Sequence, residues 1–311
     1  MTPPMPLRYA PASEAGITPR EEAIARSVLY ASLFDYPLTL AQLRQTLIGS
    51  TQTASEILAT LRGSAVLSRV VEEHDGYFFP AGRSDLIETR RHRETRSRAF
   101  LAEHGPLLRL IAALPFVRMA ALSGSIAHLN LEPGGDLDLF LVTRGARVWS
   151  TAVMVVVVAK LLRRRATLCA NFVVADSALA FDQEDLFTAS QVINLRPLAG
   201  DDTYRRIVQC NPFVRDFYPN FHASSTGGFR FRQPRLVRAA KACAEFVLFV
   251  PSRLAERVCR VVYRAYLRRR AATWESPEQV VLGDTVLKLH TKSHRSEILS
   301  RFADSVDEAL R

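Results

Sequence analysis

Apolar residues at Ile24, Val28 and Leu29 recur at the spacing of one helix face, which predicts a helix over 20–33. The turn Phe34-Asp35-Tyr36-Pro37 stops it. Thr39 then caps a short helix through Leu47. Thr53 opens a third, with Ile57, Leu58 and Leu61 on one side and Gly63 at its end. An apolar run over 66–71, the polar turn Glu72-Glu73-His74-Asp75-Gly76 and a second run over 77–79 predict a hairpin. Residues 84–103 form a highly charged helix, capped by Ser84 and closed by Gly105-Pro106; its apolar face is only Leu86, Ile87 and Leu101. A further apolar helical turn covers 107–113. Two runs with strand character, 119–122 and 137–142, flank a Gly-Ser pair, a helix-like piece over 126–131 and a Pro-Gly-Gly turn. The segment 148–162 reads as a helix, in spite of valines that also suit a strand. A strand over 168–175 and a helix over 182–194, ended by Arg196-Pro197-Leu198, follow.

The last third is patterned mainly for helices. Tyr204, Phe213, Phe217 and Tyr218 cluster within 201–221 beside Arg205, Arg206 and Arg215. They read as a core-facing patch, with base stacking as the alternative. A loop over 224–228 leads to an Arg-studded helical pair over 234–270, broken at Pro251-Ser252. Ala239, Cys243, Phe246, Val247 and Val250 line one side before the break, and Leu254, Val258, Val261 and Val262 continue it. This pair is expected to cover the preceding domain, with membrane association as the alternative. A hairpin over 280–282 and 286–290 and a terminal helix over 296–310 complete the chain.

Composition narrows the class. The chain has 311 residues, 48% hydrophobic and 23% charged, which suits a two-domain globular protein. The longest apolar run, 152–159, is too short to span a bilayer. The start of the chain is Pro-rich without an apolar core, and reads as disordered lead-in. Cys169, Cys210, Cys243 and Cys259 are widely spaced, which predicts reduced, buried thiols in a cytoplasm. A net charge of +10 permits polyanion binding, including a nucleoside triphosphate. No Walker A loop, GxGxxG, HExxH or GxSxG occurs, which removes the common NTPase, dinucleotide, zincin and α/β-hydrolase classes.

The candidate chemistry lies in 119–143, MAALSGSIAHLNLEPGGDLDLFLVT. Asp136 and Asp138 are two apart at the start of a strand, so both carboxylates project to one face. Their mutual repulsion is relieved by a divalent cation, and Mg²⁺ is satisfied by one or two carboxylates plus phosphate oxygens. Gly124 permits a tight turn and close ligand approach. Ser125 opens the next segment, where its amide and hydroxyl can face an anion.

Gly-Ser, ten residues, then Asp-Leu-Asp within an apolar strand resembles the signature of the DNA polymerase beta-like nucleotidyltransferase superfamily. That resemblance implies Mg²⁺-dependent transfer of a nucleoside monophosphate from a nucleoside triphosphate, on a one- or two-ion site. It implies that Gly124 and Ser125 hold phosphates and that Asp136 and Asp138 bind metal. A third carboxylate is common on the next strand. Here that position is Asn171, an uncharged ligand and a poor base. Asp176 is a possible substitute, Glu184 and Asp185 are acids that could approach the metal, and Lys288 and His290 could touch a phosphate.

The three N-terminal helices and hairpin look like a winged helix. Its third helix carries only Glu56 and Arg62 as charges, and its wing tip holds Glu72, Glu73 and Asp75. DNA docking needs cations there, so a protein-contact or substrate-positioning module is expected. The organisation is then 1–17 lead-in, 18–82 winged-helix-like, 83–114 basic connecting helix, 115–200 nucleotidyltransferase core and 201–311 mainly helical. The fold class is α/β (α+β), with a small mixed sheet. The expected activity is nucleotidyl transfer to an acceptor hydroxyl on an RNA end, a protein or a small molecule. The competing reading is a catalytically degenerate nucleotide-binding, regulatory or toxin–antitoxin protein.

Overall fold

The computed structural model describes residues 16–223, 231, 233–290 and 293–311. The lead-in over 1–15 and the loop over 224–228 lie outside these residues.

Three helices open the fold: α1 (Pro19–Ser32), α2 (Leu40–Gln45), preceded by the short strand β1 (Leu38–Thr39), and α3 (Ala54–Gly63). Each begins with a reciprocal capping box, Thr18 with Glu21, Thr39 with Gln42 and Thr53 with Glu56. The run over 66–71 is not a strand throughout. Leu67–Val70 forms a single helical turn, α4, because the Ser64 hydroxyl accepts from the Leu67 amide and Leu67 and Val70 bury together. Strands β2 (Val71–His74) and β3 (Tyr77–Pro80) follow. The turn between them is shorter than five residues. Asp75 and Gly76 both take positive φ, and His74 pairs directly with Tyr77. With β1, these strands make a small antiparallel sheet in the order β1-β3-β2.

Gly105-Pro106 does not close the charged helix. One helix, α5 (Asp85–Ala113), runs through it, and Ser84 makes no side-chain cap. Leu101, Leu107, Leu108 and Ile111 bury along one stripe, which outweighs an interior proline's cost of about 3 kcal/mol. Its basic half does more than connect. Arg90 is buried between the rings of Tyr36 and Tyr77 and donates to the Pro37 carbonyl. Arg93 pairs with Asp35 and Glu132, and Arg96 donates to the Leu131 carbonyl.

The large sheet is built from β4 (Val117–Ser123), β5 (Leu137–Thr143), β6 (Leu168–Ala175), β7 (Arg196–Ala199), β8 (Val280–Leu282) and β9 (Val286–Leu289). Their order is β7-β4-β5-β6-β9-β8. Only β5 and β6 are parallel among these neighbours. Between β4 and β5 lies α6 (Gly124–Ala127), and the valine-rich α7 (Val148–Leu161) joins β5 to β6. The segment Arg196-Pro197-Leu198, expected only to end a helix, is an edge strand, where a proline is tolerated. The helix before it, α8 (Leu186–Asn194), starts four residues later than expected, at a cap from Asp185 to the Thr188 amide.

The C-terminal segment contains α9 (Asp201–Cys210), α10 (Phe213–Phe217), α11 (Arg235–Val247), α12 (Pro251–Arg269) and α13 (Arg295–Ala309). It also supplies β8 and β9, so the sheet does not end at residue 200. Strand alternation divides the core. Leu137, Leu139 and Leu141 face α5 and α7, whereas Phe140 and Val142 face α8–α10 and α13. The N-terminal helices share the second of these cores, with Tyr30 and Phe302 in edge-to-face contact at 5.2 Å. Tyr204, Phe213 and Tyr218 are buried there, as a core-facing patch requires. Cys210 and Cys243 are exposed, contrary to expectation, and all four cysteines are free thiols. The α11–α12 pair packs on α5 and α7, as expected, but much of its apolar side faces outward. No helix among the described residues is long and apolar enough to cross a membrane.

Glu256 of α12 accepts from the Trp149 and Ser150 amides and from the Ser150 hydroxyl, satisfying the start of α7. Glu256→Ala is expected to lower stability by about 1–3 kcal/mol, read from the shift in the urea unfolding midpoint.

Candidate functional site

The site is set by the antiparallel pairing of β4 and β5, which puts Ser123 opposite Asp138. At Gly124 the chain leaves the strand with φ +63°. A Cβ at this position would stand 2.5 Å from Asp138 Oδ2 and 3.3 Å from its Cγ. The absent side chain is therefore the space that the carboxylate occupies. Ser125 is exposed on the first turn of α6, which is shorter than the helix-like piece expected over 126–131. That turn closes on itself, with the His128 and Asn130 amides donating to the Ser125 carbonyl. The loop that follows is tied down on two sides. The Asn130 amide group donates to the Phe34 carbonyl, and the Leu131 amide donates to Ser97.

Asp136 precedes β5 and Asp138 lies in it, and their carboxylates come together with the Cys169 thiol. One ligand atom from each of the three lies within 4.8 Å of the others. Burial, followed by the neighbouring Asp136, pushes the Asp138 carboxyl up to about 7. Burial and the same two carboxylates push the Cys169 thiol up to about 12, so it stays protonated. Asn171 projects from β6 into this group and its amide donates to Asp138 Oδ1. The parallel pairing puts Cys169 beside Asp138, and a register shift before the Phe140–Phe172 pair lets the consecutive Asn171 and Phe172 both line the cleft.

Other acids fall outside the cluster. Asp176 lies beyond the far end of β6 and accepts from the Gly145 amide. Asp185 caps α8 and pairs with Arg295, while Glu184 is exposed. None of the three belongs to the metal-capable group.

A cleft of about 840 Å³ opens beside the carboxylates, lined by Gly124, Asp138, Asn171, Phe172, Lys288 and His290 among others. Phe140, Phe172 and Phe181 form one wall, with ring centroids 4.9–6.2 Å apart. Lys288 enters because β9 pairs with β6 at Phe172, and the Gln183 and Gln279 side-chain carbonyls accept from its ammonium. Burial, then Lys288, pushes the His290 imidazole down to about 4, leaving it neutral at pH 7. Gly124 also borders a smaller cavity of about 170 Å³, between α8 and the N-terminal helices. Its walls include Gln42, Ser125, His128, Gln191 and Asn194. Cys169 and the phenylalanine wall were not singled out as site residues from sequence. Both depend on strand pairing.

No family model, curated protein or solved structure matches this chain.

Gly124→Ala is expected to displace Asp138 and abolish divalent-cation binding, measured by calorimetry, while the circular dichroism spectrum is kept. The raised carboxyl of Asp138 predicts two pH effects. Its folded value exceeds the ordinary 3.8, so its contribution favours the metal-free fold below about pH 4 and is lost as pH rises to about 7. Asp138→Asn should remove that decline in urea titrations across the interval. Cation binding must also displace the Asp138 proton, so affinity should rise between pH 6 and 8, with proton release detectable by calorimetry in buffers of different ionisation enthalpy.

Proposed function

We propose that this protein is a Mg²⁺-dependent nucleotidyltransferase that moves a nucleoside monophosphate from a nucleoside triphosphate to an acceptor hydroxyl. The observation that carries this reading is the convergence of Asp136 and Asp138 against the bare backbone of Gly124, at the edge of a cleft large enough for a nucleotide. Asp136 and Asp138 would hold Mg²⁺, which offsets their repulsion and supplies charge stabilisation to the phosphates. Gly124 and Ser125 approach the triphosphate with backbone amides. Lys288 adds a cation at the far side of the same cleft. The phenylalanine wall offers a face for a base. The cavity beside Ser125, rich in uncharged hydrogen-bonding groups, suits the acceptor, with the N-terminal winged-helix-like unit as its positioning wall. Acceptors of three kinds fit this scheme: an RNA end, a protein or a small molecule. The unit's outer surface remains available to a protein partner. The setting we assign is the cytoplasm, in keeping with four free thiols.

Asn171 favours a second reading, a protein that binds nucleotide without turning it over. The superfamily that the motif resembles commonly carries a carboxylate there, and this chain has an amide bonded to Asp138. The two readings separate by calorimetry with each nucleoside triphosphate, with and without Mg²⁺, followed by mass spectrometry for pyrophosphate and nucleotidylated product. Turnover supports transfer, and binding without pyrophosphate supports the second reading. The double variant Asp136→Ala plus Asp138→Ala is expected to lose metal-dependent transfer and keep its fold. Unchanged activity in that variant sinks the assignment. Asn171→Asp supplies a third carboxylate and is expected to raise Mg²⁺ affinity about tenfold, while lowering metal-free stability at pH 8 through added repulsion.

A further inference from the structure

Amphipathic helices ordinarily turn their apolar stripe to the core and their charges to water. The α11–α12 pair does the reverse. Its inward contacts over 241–256 are polar, while Cys259, Tyr263 and Leu267 of the last turns pack on the core. The Lys241 ammonium donates to the Ala112 and Val117 carbonyls. The buried Glu245 accepts from the Phe116 amide and pairs with Arg144. Ser252 accepts from Arg147, and Glu256 receives the α7 amides. Facing outward are Leu236, Phe246, Val250, Leu254, Val258 and Val261, each 53–85% exposed. From Phe246 to Val261 they repeat at three- and four-residue steps, and Leu236 lies ten residues before.

The charges around that stripe have one sign. Between 235 and 270 the sole acids are Glu245 and Glu256, and both are committed inward. Arg235, Arg238, Arg257, Arg268 and Arg269 are exposed, and none forms an ion pair among the described residues. We propose that this helical pair docks on an anionic lipid bilayer, lying in its surface with the exposed apolar residues among the acyl chains and the arginines at the headgroups. An apolar strip edged by unpaired cations is the pattern that such a surface rewards. A second copy of the same face would oppose arginine to arginine, and a nucleic acid would leave the valines in water. The pair rests on the α7 side of the sheet, whereas the phenylalanine-walled cleft lies on the other, so docking leaves the cleft open. The inference is independent of the reaction proposed for that cleft.

The test is flotation of the full-length protein with vesicles of phosphatidylglycerol and phosphatidylcholine, against vesicles of phosphatidylcholine alone. The expected result is partition onto the anionic vesicles that weakens as salt is raised from about 0.1 to 0.5 M. Phe246→Asp plus Leu254→Asp should reduce that partition about tenfold or more, with circular dichroism, melting temperature and nucleotide binding retained. Val250→Ser plus Val261→Ser is the milder pair if the aspartates impair folding, and is expected to weaken binding in the same direction. Failure to bind anionic vesicles overturns the proposal. So does full binding by folded variants, or self-association in the ultracentrifuge that the substitutions abolish without any vesicle binding.

Discussion

The structure depends on a close approach between a glycine backbone and a carboxylate. Gly124 at φ +63° leaves a gap that Asp138 fills, and Asp136 stands against it. Two acids beside each other in a desolvated place are electrostatically unfavourable. They are held by what surrounds them. Leu137, Leu139 and Leu141 are fully buried on one face of β5, and Phe140 and Val142 on the other. The apolar burial of that strand fixes its register, and the register sets the carboxylates.

The rest of the chain braces this corner. The arginines of α5 reach back to Asp35 and the Pro37 carbonyl, and forward to Glu132 and the Leu131 carbonyl. One helix therefore links the N-terminal unit to the loop that delivers Asp136. The N-terminal unit also shares a core with α8 and α13, so it is a wall of the site and not an appendage. The cost of burying Arg90 is met by two aromatic faces and a carbonyl, in keeping with guanidinium's weak hydration.

Much of this was legible along the chain. Capping threonines at 39 and 53 marked helix starts, because a cap is a contact between residues three apart. The strands at 119–122, 137–142 and 168–175 were visible as apolar runs bounded by turn residues. Gly124, Ser125, Asp136 and Asp138 stood out because their spacing is short and local, and Asn171 only through the superfamily resemblance. The failures share a cause. Proline at 106 reads as a helix end, yet tertiary burial on both sides carried α5 through it. Arg196-Pro197-Leu198 reads as a terminator, yet an edge of β4 was waiting to pair with it. Val66–Val71 carries strand-forming residues, yet the burial of Leu67 and Val70 in the core turned part of it into helix.

Local composition thus accounts for the elements and for the pair of acids, since propensity, capping and periodicity act over a few residues. Three features were decided by contacts between distant segments. They are the arrival of β8–β9 beside β6, the meeting of Cys169 and Asn171 with Asp138, and the outward turn of the α11–α12 stripe. Each is a choice among partners that a linear pattern leaves equivalent. A helix with one apolar and one charged side does not say which side faces in. Here the Phe116 amide, Arg144 and the amides of α7 took the charged side.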